Sequence, residues 1–138
     1  MAATDLVPGK ILHLWCDFTI PPKDKFIVIA CLSPELLFFF VNTAPNHFNS
    51  DVAKQQVLLP RKDHAFLGHD SYIDCSELRN DFTAQDIERQ TDQLKIGSPK
   101  GMISHQVKQE IIESMKWSRT LGPRHQSLVL SAFGDIAT

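Results

Sequence analysis

The sequence predicts an α+β, mainly β domain: a small, strongly curved antiparallel sheet or barrel followed by C-terminal helices. Three observations lead there. Short apolar and β-branched runs recur between residues 10 and 75, with turn residues between them. No long helical pattern separates those runs, which disfavours a parallel βαβ sheet. Helix-capping patterns begin only at Thr83.

Pro8-Gly9 breaks the chain ahead of a first strand, KILHLWCDF, at 10–18. Alternation places Leu12, Leu14, Cys16 and Phe18 on one face, the better core candidate, and Ile11, His13, Trp15 and Asp17 on the other. TIPPKDK, 19–25, holds two prolines and three charges and reads as a loop. FIVIAC, 26–31, and LLFFFVN, 36–42, read as buried strands joined by the turn SPE, a candidate hairpin. Residues 43–54 form a loop rich in Asn and Pro, 56–60 a short strand, 61–70 a further loop, and SYIDC, 71–75, a half-buried strand.

Thr83 with Asp86 makes a capping box for a helix over about 84–93. GSPKG, 97–101, reads as a break. Ser104 caps a helix over roughly 105–119, with an apolar stripe of Val107, Ile111, Ile112, Met115 and Trp117. Gly122-Pro123 stops it. SLVLSAF, 127–133, fits a strand, a helical turn or an interface segment. The expectation is one domain over 1–138, with barrel strands in about 9–76, helices in 83–121, and 122–138 unassigned.

The 138 residues suit one domain, and 43% hydrophobic content supports a core. A net charge of −2 argues against nonspecific nucleic-acid binding but leaves room for a small site gripping a few nucleotides. Cys16, Cys31 and Cys75 are odd in number and form no CxxC, so they read as small buried hydrophobes in a reducing compartment. The first ten residues lack a signal-peptide pattern, and the longest apolar run, LLFFFV, is far short of the roughly 20 residues a membrane helix needs. A cytoplasmic protein with no membrane association is the expectation.

Several chemistries find no motif. His64 and His69, beside Asp63 and Asp70, have a spacing that fits no metal-ligand pattern, so the segment reads as a solvated polar loop with no metal. Cys75 with His64 or His69 is a nucleophile pair on paper only. There is no G-x-S-x-G elbow, Walker loop or G-x-G-x-x-G, and no cofactor is expected. What remains are two strand borders, Lys25 before FIVIA and Thr43 after FFFVN.

The order of short motifs around these borders resembles the MazF/PemK toxin family. The matching pieces are GKILHLWCDF (9–18), KFIVIA (25–30), VNT (41–43), DSYIDC (70–75) and IG (96–97) ahead of a helix, spanning about residues 9–118. The family has Arg-Pro where this chain has Lys25-Phe26, and its catalytic Thr falls at Thr43. Lys25 keeps the positive charge but not the planar fork of arginine. The resemblance implies an SH3-like barrel that cleaves single-stranded RNA without a metal, often as a homodimer, and is neutralised by a small antitoxin protein.

On that reading Lys25 and Thr43 are the catalytic pair. Lys23, Asn46 and His47 are candidate RNA contacts, and Phe48 is a stacking platform for a base. The 19–24 loop would cover the RNA. His13 or His47 would move the proton, and Lys25 would do so only with a lowered pKa. The rival expectation is a non-enzymatic barrel of the same fold that acts by protein–protein binding through 127–133.

Overall fold

A computed structural model of the protein describes residues 6–92 and 99–136. In chain order its elements are β1 (Lys10–Cys16), β2 (Lys23–Cys31), β3 (Leu37–Asn42), α1 (Ser50–Ala53), β4 (Gln56–Leu59), a 3₁₀ turn (Arg61–Asp63), β5 (Ser71–Asp74), α2 (Ala84–Asp92), β6 (Pro99–Met102), α3 (His105–Lys116) and α4 (Pro123–Ile136). The six strands form one curled antiparallel sheet in the order β4-β5-β3-β2-β1-β6. The fold is therefore α+β, a small half-barrel with helices at the C-terminal end, as the sequence predicts.

Why the strands read as unbroken apolar runs is explained by what lies on the two faces. One face buries Ile11, Val28, Phe39 and Ile73 under Val107, Ile111 and Met115 of α3 and Val129 and Phe133 of α4. The other buries Leu12, Leu14, Cys16, Ile27, Ile29 and Phe38 with Leu6, Phe82 and Ile87 of α2. Strands covered on both sides lose the alternation of a one-sided sheet. The Leu12-Leu14-Cys16 face is core as expected, and Ile11, assigned to the other face, is equally buried in the second core.

Four expectations need correction. The 19–25 loop is shorter than expected, because Lys23, Asp24 and Lys25 pair with Cys16, Trp15 and Leu14 and belong to β2. In place of a break at 97–101, residues 99–102 form β6, which pairs with Lys10–Leu12. Its Pro99 is tolerated as the first residue of an edge strand. Residues 97 and 98, and the IG at 96–97, lie outside the described residues. The 43–54 and 61–70 loops each contain a single helical turn. Trp117 leaves the apolar stripe: α3 ends at Lys116 and Trp117 is 79% exposed. Val107, Ile111 and Met115 follow the i, i+4 line, whereas a residue two beyond Met115 falls on the opposite side of the helix.

The unassigned tail is α4. Pro123, which stops the preceding segment, is also the first residue of this helix, where a missing N–H costs nothing. Val129 and Phe133 lie one turn apart and are fully buried. Their apolar character serves the core, so 127–133 is not a free interface. Gln126 donates from Nε2 to the carbonyls of Met115 (3.0 Å) and Ser118 (3.2 Å), closing the end of α3.

Two expected caps are present. Thr83 N–H donates to Asp86 (2.8 Å) and Asp86 N–H donates to Thr83 Oγ1 (3.1 Å), a complete capping box for α2. Ser104 Oγ accepts from Val107 N–H at the start of α3. Gly9, at φ +89°, joins three strands: its N–H donates to Ile29 O (2.7 Å) and its carbonyl accepts from Ile103 (3.0 Å). A Cβ there would also meet Ile103 and Met102 at 3.3 Å. On the other side of β1, the Gln90 amide accepts from Trp15 N–H (2.9 Å) and donates to Trp15 O (3.0 Å).

Candidate functional site

The paired register between β2 and β3 ends at Ile27↔Phe40. Beyond it β2 continues against β1 alone as far as Lys23, while Val41 and Asn42 of β3 pair with β5. The two strands therefore splay, and a cleft of about 400 Å³ opens between them. Its lining includes His13, Lys23, Lys25, Phe26, Asn42 and Thr43. The two strand borders singled out in the sequence thus face one cavity, together with one of the two candidate proton carriers.

Lys25 is half-buried and its Nζ donates to Asn42 Oδ1 at 2.6 Å. The pairing is a consequence of register, since continuing the ladder past Ile27↔Phe40 sets Lys25 opposite Asn42 on one face. The ammonium also stands 4.8 Å from the centre of the Phe40 ring. Burial, then the charge of neighbouring Lys23, holds the Lys25 amine below its ordinary pKa, with Cys16 and Asp74 pulling the other way. Lys23 is exposed at the mouth of the cleft. His13 stacks on Phe26 with ring centres 4.7 Å apart, which fixes its plane at the cavity wall.

The loop after Thr43 is anchored by a buried carboxylate. Asp74, 8% exposed, accepts from Gln56 Nε2 (2.9 Å), Asn46 Nδ2 (3.3 Å), Ser76 N–H (3.1 Å) and Ser76 Oγ. Asn46 also takes Gln56 Oε1 on its backbone N–H and accepts Phe48 N–H on Oδ1. The side chain of Asn46, half-buried and outside the cleft lining, therefore holds the loop in shape. His47 and Phe48 are exposed, Phe48 by 82%, and neither lines the cleft. Phe48 is accessible for stacking, on the loop that leaves the cleft.

Arg79 and Asp74 escaped the sequence reading. Arg79 lies 5.0 Å from the ring centres of both Phe18 and Phe40 and pairs with Asp81 and Glu77. Those hydrogen bonds and charges push its pKa up and commit it to the carboxylates. It packs on the same Phe40 ring as Lys25. Asn42 was within reach of the sequence, because a hairpin that pairs Phe40 with Ile27 carries Asn42 to Lys25.

The remaining candidates are structural. His64 is 2% exposed, which corrects the solvated-loop reading. Its Nε2 accepts from Ser104 N–H (3.1 Å), so Nδ1 carries the proton donated to Pro60 O (2.7 Å). His69 lies exposed with Nδ1 against Asp70 O. Cys16, Cys31 and Cys75 are buried free thiols, as expected. Burial pushes Cys16 up to about 11 and Cys75 well above its ordinary value, which keeps both as unreactive thiols. Among the described residues no three His, Cys, Asp or Glu side chains gather to hold a metal, and no helix is long and apolar enough to cross a membrane.

Sequence and structure comparisons add no relative: no protein-family model, no curated protein and no solved structure matches the chain.

Proposed function

We propose that the chain is a divergent MazF/PemK-type toxin, a metal-independent endoribonuclease acting on single-stranded RNA in the cytoplasm. It would work as a homodimer and be neutralised by a small antitoxin protein. The observation that carries this reading is the convergence of Lys25, Thr43 and His13 on one cleft.

The chemistry needs a proton acceptor, a proton donor and positive charge on a phosphorane. His13 takes the proton of the 2′-OH as that oxygen attacks the adjacent phosphorus. The P–O2′ bond forms, the P–O5′ bond breaks, and the products are a 2′,3′-cyclic phosphate and a free 5′-hydroxyl. Lys25 and Lys23 supply charge to the non-bridging oxygens, and the Thr43 hydroxyl donates a hydrogen bond to one of them. The depressed pKa of Lys25 makes its ammonium a better acid than an ordinary lysine, suited to protonating the departing 5′-oxygen.

The test is cleavage of a long mixed-sequence RNA in EDTA by wild type, Lys25→Ala, Thr43→Ala and His13→Ala. Discrete fragments ending in cyclic phosphate are expected from wild type. Loss of a proton carrier should lower the rate by about 10²–10⁴. Intact RNA after incubation with folded wild type would sink the nuclease reading.

A further inference from the structure

A second groove lies between β4 and α3, away from the cleft, with a volume of about 650 Å³. β4 is the outermost strand of the sheet. Cys75 N–H donates to Gln55 O (3.0 Å), so ladder alternation turns the backbone groups of Gln56 and Leu58 towards the free edge. Across the groove α3 presents Gln106, Glu110, Glu113, Ser114 and, just past its end, Trp117. Three carboxylates, Asp51, Glu110 and Glu113, face two cations, Lys54 and Arg119.

Two buried acceptors in this groove have no protein partner. Gln55 is 5% exposed and lines the groove. Its Nε2 donates to Asp51 O (3.2 Å) and Thr120 Oγ1 (2.9 Å). Thr120 spends its own hydroxyl proton on Ser76 O (2.7 Å), so its oxygen must accept, and the Gln55 amide cannot be turned over. Gln55 Oε1 is left buried and unpartnered, as is Ser114 Oγ. Buried polar atoms left unsatisfied are costly, so these two mark where polar groups of a ligand belong, a donor in the case of Gln55 Oε1.

We propose that this groove binds an extended peptide segment carrying a lysine or arginine, added as a strand along the free edge of β4. Main-chain groups pair with Gln56 and Leu58, the cationic side chain lies against Glu110 and Glu113, and a donor of the segment meets Gln55 Oε1. Strand addition beside a helix uses backbone bonds for affinity and side-chain contacts for choice. β4 has four residues, so about four peptide residues, at roughly 3.4 Å each, fill its length. Trp117 supplies the apolar end wall. This inference is independent of the nuclease reading, and its test reads binding alone.

The experiment pans a phage-displayed random dodecapeptide library against the full chain. The enriched peptides are then synthesised and titrated into ¹⁵N-labelled protein. Expected are sequences sharing a basic residue, saturable shifts at the Gln56 and Leu58 amides and the Trp117 indole, and at least tenfold weaker binding to the Glu110→Lys/Glu113→Lys variant. Both glutamates are exposed, so that variant keeps its fold; Gln55→Leu should weaken binding by a similar factor. Four results overturn the proposal: no enrichment over bare support, shifts confined to another surface, affinity unchanged in the charge-reversal variant, or groove shifts produced by hexauridylate or by self-association in sedimentation instead of by peptide.

Discussion

Replacing Asp74 by alanine removes the acceptor on which four donors converge. Gln56 and Asn46 are half-buried and can turn to water, so each lost bond costs about 0.5–1.5 kcal/mol. Ser76 is buried, and its N–H left unpaired costs roughly 1–3 kcal/mol. Against these stands the relief of a desolvated carboxylate, which offsets part of the loss. The net is a destabilisation of about 2–3 kcal/mol, read as a fall in Tm of roughly 6–12 °C at about 3–4 °C per kcal/mol for a chain of this size. Thermal unfolding followed by circular dichroism measures it. A double-mutant cycle with Asn46→Ala isolates the loop anchor and should show coupling of at least about 0.5 kcal/mol. Amide exchange across 44–48 should quicken in both single variants. Strict additivity, or a Tm within a degree of wild type for Asp74→Ala, would refute the anchoring argument.

Two further outcomes are expected. His64→Ala leaves Ser104 N–H and Pro60 O without their partner in a part-buried position and should cost about 1–3 kcal/mol, with His64→Gln recovering part of it; denaturant unfolding checks this, and a loss under about 0.5 kcal/mol contradicts the bridging role of His64. If Lys25 donates the proton to the leaving oxygen, cleavage falls as pH rises through its depressed pKa, giving an alkaline limb below the ordinary 10.5. Lys23→Ala removes a positive neighbour, raises the Lys25 pKa and should move that limb to higher pH; rate profiles in EDTA decide, and an unmoved limb rejects Lys25 as the acid.

Much of the fold was legible where local pattern and tertiary role coincide. FIVIAC and LLFFFVN are β-branched or aromatic and bounded by turn residues, and they form β2 and β3. The Thr83–Asp86 and Ser104 caps speak only of nearby backbone and held in full. β6 was illegible because PKGM carries the residues of a break and becomes a strand only through pairing with β1. α4 was ambiguous because SLVLSAF is apolar enough for either element, and what selects the helix is the one-turn spacing of Val129 and Phe133 against the sheet. At the cleft, Lys25 and Thr43 could be singled out as polar borders, but the approach of His13 depends on where β2 and β3 part, which no local spacing encodes. The anchoring of Asn46 was illegible for a similar reason: its amide donates to a carboxylate 28 positions away.

The Gln90 amide, by giving and taking one hydrogen bond each with Trp15, imitates a single residue of a neighbouring strand. The rim of β1 at Trp15 is thereby denied to a foreign chain. That rim lies beside a hairpin tip carrying Ile20, 99% exposed, with Trp15 itself 42% exposed, a sticky setting for an open ladder. Removing the Gln90 amide should therefore raise edge-to-edge association of heated molecules, a colloidal property distinct from the midpoint of unfolding.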